Sequence, residues 1–160
     1  MKALGLKGKT MEDMTRRDAL AFAAGLVAIT VLPLPVLAAE ETAMDEINKF
    51  VGGGEAAESG RVTLETPEIA ENGNTVPLTV MVDSPMTADD YVKRVLIVAD
   101  ANPRPGVATF HFSPKSGVAE ASTRMRLART QNVIAVAELS DGSFHMAKSM
   151  VKVTIGGCGG

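Results

Sequence analysis

One cysteine, Cys158, stands among 160 residues, and glycines surround it as Gly156-Gly157-Cys158-Gly159-Gly160. A thiol can form a disulfide, ligate a metal, act as a nucleophile, or carry a group as a covalent adduct. An internal disulfide needs a second cysteine, which the chain lacks. A metal site needs three or four ligands, and only His111 and His145 could join Cys158. A catalytic nucleophile belongs on a rigid element, whereas glycines make a backbone that is thin and conformationally free. At about 3.3–3.6 Å per residue the thiol can stand roughly 10 Å beyond Ile155, enough to enter a narrow channel on another protein. Ordering such a segment costs roughly 1–2 kcal/mol per residue. The expectation is an arm that is free alone and fixed on docking. No basic residue follows Lys152, so little self-activation of the thiol is expected.

Other residues offer less. His111 lies between two phenylalanines and His145 just past a turn, so both read as surface or satisfied structural histidines. Arg124, Arg126 and Arg129 cluster near one strand, as a partner-docking patch or, in the preferred reading, a solvated face. Met81, Met125, Met146 and Met150 read as core filler or adaptable contact surface. There is no P-loop, no GxGxxG in a strand–helix context and no CxxC. No Ser-His-Asp arrangement has support, and no metal or cofactor is expected.

The elements that must position the thiol follow an address. Lys2, Lys7, Lys9, Arg16 and Arg17 precede an uncharged apolar run over residues 19–32. Pro33 and Pro35 end that run, and Val36-Leu37-Ala38-Ala39 supplies small residues for cleavage. Residues 1–39 therefore read as a cleaved signal peptide. Arg16-Arg17 resembles a twin-arginine signal, which places the remaining chain in a bacterial periplasm. The apolar run is shorter than the ~20 residues needed to span a bilayer.

Residues 1–39 hold five of the 16 Lys and Arg and three of the 19 Asp and Glu, so residues 40–160 carry a formal charge of −5. That sign disfavours nucleic acid, whose phosphates need cations, and favours basic docking surfaces.

Residues 40–155 read as one domain. Thr42 and Asp45 resemble a capping box opening a short helix, with Ile47, Phe50 and Val51 as its apolar stripe and Gly52-Gly53-Gly54 as its stop. Thereafter the period is two. Strands are expected over residues 61–66, 76–82, 92–99, 107–112, 121–127, 133–139 and 144–155. Asn72-Gly73 reads as a tight turn supplying positive φ, and Pro77 as a mark of a sheet edge. The strand over 92–99 is apolar on both parities, so it is expected to be central and covered on both faces. About seven antiparallel strands with turn signals between them predict an all-β fold, an immunoglobulin-like β-sandwich. Residues 156–160 follow as the arm.

Several blocks together resemble a known family. These are the arginine-pair leader, Pro67-Glu68-Ile69-Ala70-Glu71-Asn72-Gly73, Ser84-Pro85-Met86, Asn102-Pro103-Arg104-Pro105, Thr123-Arg124-Met125-Arg126-Leu127 and, above all, the glycine-flanked Cys158. Over nearly its whole length the chain resembles the SoxY family of sulfur carriers of bacterial thiosulfate oxidation. The resemblance implies an immunoglobulin-like fold, a heterodimer with a SoxZ subunit, and sulfur intermediates carried covalently on Cys158. It implies transient docking to a SoxAX cytochrome, a SoxB hydrolase and, where present, a SoxCD sulfane dehydrogenase. The carrier would be a reactant and not an enzyme. The competing reading is an exported structural or adhesion module that uses Cys158 for an intermolecular disulfide.

Overall fold

The computed structural model describes the backbone of residues 35–156 and side chains from Thr42 onward. The expected leader with Arg16 and Arg17, and the residues Gly157, Cys158, Gly159 and Gly160, lie outside the described residues.

Helix α1 runs Pro35–Val51. It is longer than the segment expected from residue 42, and Thr42 is not its cap. Pro35 is the first helical residue, where its missing N–H is no loss and its fixed φ suits a helical start. The stripe of Ile47, Phe50 and Val51 is buried against Leu96, Val98, Ile134 and Val136. Full burial of side chains this size contributes about 1.5–3 kcal/mol each. Gly52, with φ of 60°, ends the helix and donates its N–H to the Asn48 carbonyl. Arg94 fastens that end: its Nη2 donates to the Phe50 carbonyl at 3.1 Å, and its guanidinium lies 4.2 Å over the Phe50 ring. Glu138 in turn pairs with Arg94 and Lys93.

Among the described residues nine strands follow: β1 (Ala56–Glu58), β2 (Val62–Glu65), β3 (Ile69–Ala70), β4 (Val76–Val82), β5 (Val92–Ala99), β6 (Gly106–His111), β7 (Ala119–Met125), β8 (Gln131–Leu139) and β9 (Phe144–Val153). The larger sheet orders β1-β9-β8-β5-β6, with β3 also paired to β9, and the smaller sheet orders β2-β4-β7. The fold is the expected immunoglobulin-like sandwich. Val76, Leu78, Val80 and Val82 of β4 alternate inward and share a core with Val95, Ile97, Val133 and Leu139. On β5 the opposite parity, Leu96 and Val98, lies under α1. That explains why its sequence is apolar on both faces.

Four expectations change. β1 and β3 were not foreseen; they are three and two residues long, too short to show alternation, and both pair with β9 in parallel. Pro77 lies on the middle strand of its sheet and not on an edge strand. β2 stops pairing at Glu65 with Thr79, so Pro77 has a partner, Arg124, on one side only. The proline is tolerated because β4 is locally unpaired there. Gly73 is absent from the positive-φ residues, so Asn72-Gly73 is no tight hairpin turn. The last strand ends at Val153, two residues early.

Candidate functional site

The site is the place where β9 leaves the sandwich for Cys158. Hydrogen bonds fasten the chain residue by residue from the end of β9 onward. The Lys152 N–H donates to the Glu68 carbonyl at 2.9 Å, and Val153 N–H to Thr130 Oγ1 at 3.0 Å. Thr154 donates its N–H to the Ala70 carbonyl at 3.1 Å and its hydroxyl to the Glu71 carbonyl at 2.7 Å. The Ile155 carbonyl accepts the Gly73 N–H at 2.7 Å, and the Gly73 carbonyl accepts the Leu127 N–H at 2.8 Å. Gly73 is thus a bridge between the departing chain and the segment after β7.

Gly156 continues this seat. A Cβ placed on it would collide with the Ala128 carbonyl oxygen. Backbone this close leaves room only for glycine. Gly156 therefore has a packing reason to be glycine in addition to conformational freedom.

Ala128 is itself held from below. Asn102, 6% exposed, accepts the Ala128 N–H on Oδ1 at 2.9 Å and donates from Nδ2 to the Arg126 carbonyl at 2.8 Å. Gln131, 4% exposed, donates from Nε2 to Asn102 Oδ1 at 2.9 Å and accepts the Ala101 N–H at 2.8 Å. Two buried amides with every polar atom satisfied make a stiff support. No described buried side-chain polar atom lacks a partner.

Beside this support a groove of about 520 Å³ opens, lined by Asn102, Pro103, Arg104, Gly106, Val107, Arg124, Met125 and Arg126. β6 and β7 are the outer strands of the two sheets, so the groove lies between two open sheet edges. Arg124 and Arg126 are exposed, as expected, but they line a concave surface with Arg104. Among the described residues none of these arginines has an acidic partner; the ion pairs fall on Lys49, Arg61, Lys93 and Arg94.

The histidines take the structural roles expected of them. His111 is exposed. His145 Nδ1 meets Ser59 Oγ at 2.9 Å, Nε2 meets Ser143 Oγ at 3.3 Å, and the Ser143 hydroxyl donates to Asp141 Oδ1 at 2.7 Å. Asp141 bonds the second hydroxyl and not the ring, so this chain of contacts fastens β1 to the β8–β9 hairpin. Hydrogen bonds from Ser143 hold the Asp141 carboxyl below its ordinary value. Met125 is core, Met146 packs partly buried beside α1, and Met81 and Met150 are exposed. Among the described residues no group of three or more His, Cys, Asp or Glu could hold a metal. No helix among them is long and apolar enough to cross a membrane.

Sequence reasoning did not find Gly73, Asn102, Ala128, Gln131 or Thr154 as parts of one seat. Three of the blocks that carry the family resemblance meet here: residues 67–73, 102–105 and 123–127. The family model for "Sulfur oxidation protein SoxY" matches residues 47–158, a span that ends on the cysteine. The chain belongs to the SoxY family. A solved relative, the sulfur carrier protein SoxY from Chlorobium limicola f thiosulfatophilum, is 36% identical. That match covers 72% of this chain and 98% of the relative, with a TM-score of 0.61. Superoxide reductase (neelaredoxin) from Ignicoccus hospitalis shares the fold alone: 16% identity, TM-score 0.52, covering 57% of this chain and 79% of that one. No curated protein sequence matches the chain. In this SoxY-family chain, the seat below Gly156 brings those three scattered blocks together.

Proposed function

We propose that this chain is a periplasmic sulfur carrier. Cys158 holds thiosulfate-derived sulfur as a covalent adduct and presents it to separate enzymes on a short arm of Gly157, Gly159 and Gly160 that springs from Gly156. The observation that carries the reading is the SoxY-family match over residues 47–158, which includes Cys158. The anchored backbone supports it. With the chain fastened through Gly156, the thiol lies two residues from a fixed point, at most roughly 7 Å along the backbone. A short tether on a stiff base restricts the volume the thiol must search.

The chemistry balances as follows. Oxidative coupling of the Cys158 thiolate with thiosulfate forms one S–S bond and releases two electrons to a SoxAX cytochrome. Water then cleaves the terminal S–SO3 bond of the adduct on a SoxB hydrolase, giving a persulfide on Cys158 and hydrogen sulfate. A SoxCD sulfane dehydrogenase, where present, converts the outer sulfur of the persulfide to a sulfonate with oxygen from three waters, passing on six electrons and releasing protons, and a second hydrolysis returns the Cys158 thiol with hydrogen sulfate. In this reading the chain is a reactant that binds no cofactor, pairs with SoxZ, and reaches the periplasm by the twin-arginine route signalled by Arg16 and Arg17. The exposed Ile69 and Ile155 near the arm's root offer apolar surface to docking partners.

The test is Cys158→Ser in a reconstituted thiosulfate-oxidising system. Folding and partner binding are expected to persist while oxidation is lost. Retained oxidation would overturn the reading.

A further inference from the structure

The groove beside the arm's root has a property the carrier reading does not use. It gathers Arg104, Arg124 and Arg126 in a chain whose formal charge is −3. None of the three has an acidic partner among the described residues. Glu46, whose carboxylate lies 4.0 Å from where a Cβ on Gly106 would stand, pairs with Lys49 at 3.8 Å. Guanidinium groups present several N–H donors in a planar fork that suits oxyanions. Arg104 precedes β6, Arg124 lies on β7 and Arg126 follows its end, so the groove can meet one anion from both sides.

The groove is also within reach of the arm. Arg126 and Ala128 share the Asn102 clamp, and Ala128 seats Gly156. From Gly156 to the Cys158 backbone is at most roughly 7 Å, and an adduct adds the side chain and further sulfurs. Backbone beyond residue 156 is glycine on both sides of the cysteine, so the arm can fold back without steric penalty.

We propose that this groove binds the sulfonate group of an adduct borne on Cys158, parking the loaded arm against the body between enzyme visits. The proposal rests on the carrier reading. It assigns the ligand class, a tethered sulfonate, and the residues Arg104, Arg124 and Arg126. A persulfide left after hydrolysis has no sulfonate, so the arm would be released once sulfate departs.

The test loads the full chain chemically. Tetrathionate converts the Cys158 thiolate to Cys–S–S–SO3⁻ with release of thiosulfate; one S–S bond forms, one breaks, and no outside oxidant is needed. Methyl methanethiosulfonate gives a neutral methyl disulfide with release of methanesulfinate. Nitrogen-15 spectra then follow the arginine Nε resonances and the relaxation of the Gly157, Gly159 and Gly160 amides. The sulfonate adduct is expected to shift the signals of Arg104, Arg124 and Arg126 and to quench fast motion in the glycines. The methyl adduct is expected to do neither, and Arg124→Gln with Arg126→Gln is expected to restore the motion. Free thiosulfate added to Cys158→Ser separates the two sources of sulfonate: the same arginines are expected to respond only at concentrations far above those of the protein. Equal mobility of the two adducts would overturn the proposal, as would arginine signals that answer free thiosulfate but not the tethered group. Neither result bears on the carrier reading, which Cys158→Ser tests by oxidation.

Discussion

Gly156 lies so close to Ala128 that a Cβ on the glycine would strike the alanine's carbonyl oxygen. The contact anchors the backbone two residues short of Cys158. Because the neighbour is backbone, it cannot rotate away as a side chain would. Gly156→Ala must therefore push the chain off its seat and loosen the Gly73–Ile155 hydrogen bond. We expect faster amide exchange at Gly73, impaired sulfur turnover, and little change in global stability. Unaltered exchange at Gly73 would remove the anchoring role of this glycine.

Asn102 supports the same seat from inside. Asn102→Ala leaves the Ala128 N–H and the Arg126 carbonyl without their partner. Leaving a buried polar group unsatisfied costs about 1–3 kcal/mol. Chemical denaturation is expected to show a midpoint lowered accordingly with an unchanged slope. An unchanged midpoint would mean that another group satisfies the freed amide.

Bulk beyond the seat is expected to act differently. Gly157→Val or Gly159→Val adds a β-branched side chain to the segment that, on the proposed function, enters partner active sites. Turnover in a reconstituted system is expected to fall while the thermal midpoint stays within experimental error of the parent. Unchanged rates in both variants would contradict the need for a thin arm.

Glu138 gives the fold an acid-sensitive element. Burial raises its pKa, but hydrogen bonds and charges from Arg94 and Lys93 outweigh that and hold the carboxyl below its ordinary 4.5. A carboxyl whose pKa is depressed by folding stabilises the protein above its unfolded pKa, and that contribution fades as pH falls through the folded value. Both cationic partners are more than one-third exposed, so solvent screening limits the effect to about 1 kcal/mol at neutral pH. Glu138→Gln is expected to be less stable than the parent at pH 7. The difference should shrink on acidification below about pH 4.5. A gap that stays constant or widens with acid would contradict the assignment.

The sequence made the sandwich legible where strands were long enough to alternate. Residues 76–82 and 92–99 match the observed strands end to end, because each face has a distinct environment. The two-sided burial of β5 was legible for the same reason. What could not be read was pairing. β1 and β3 have too few residues for a period, and their partner, β9, lies more than 80 positions away. Asn72-Gly73 carries a hairpin signature, yet Gly73 spends both backbone groups on Ile155 and Leu127. Local turn chemistry yields there to long-range hydrogen bonding. The cysteine as candidate was visible at once. Its seat was not, because Asn102, Ala128 and Gln131 acquire meaning only when the fold brings them under Gly156.

The central claim is that sulfur travels on Cys158. Intact and peptide mass spectrometry of the protein from cells growing on thiosulfate tests it most directly. The account predicts persulfide and thiosulfonate increments on the peptide that contains Cys158, removable by a reducing agent and absent from cells grown without sulfur compounds. A Cys158 found only as a free thiol, or only in a disulfide between chains, would contradict it.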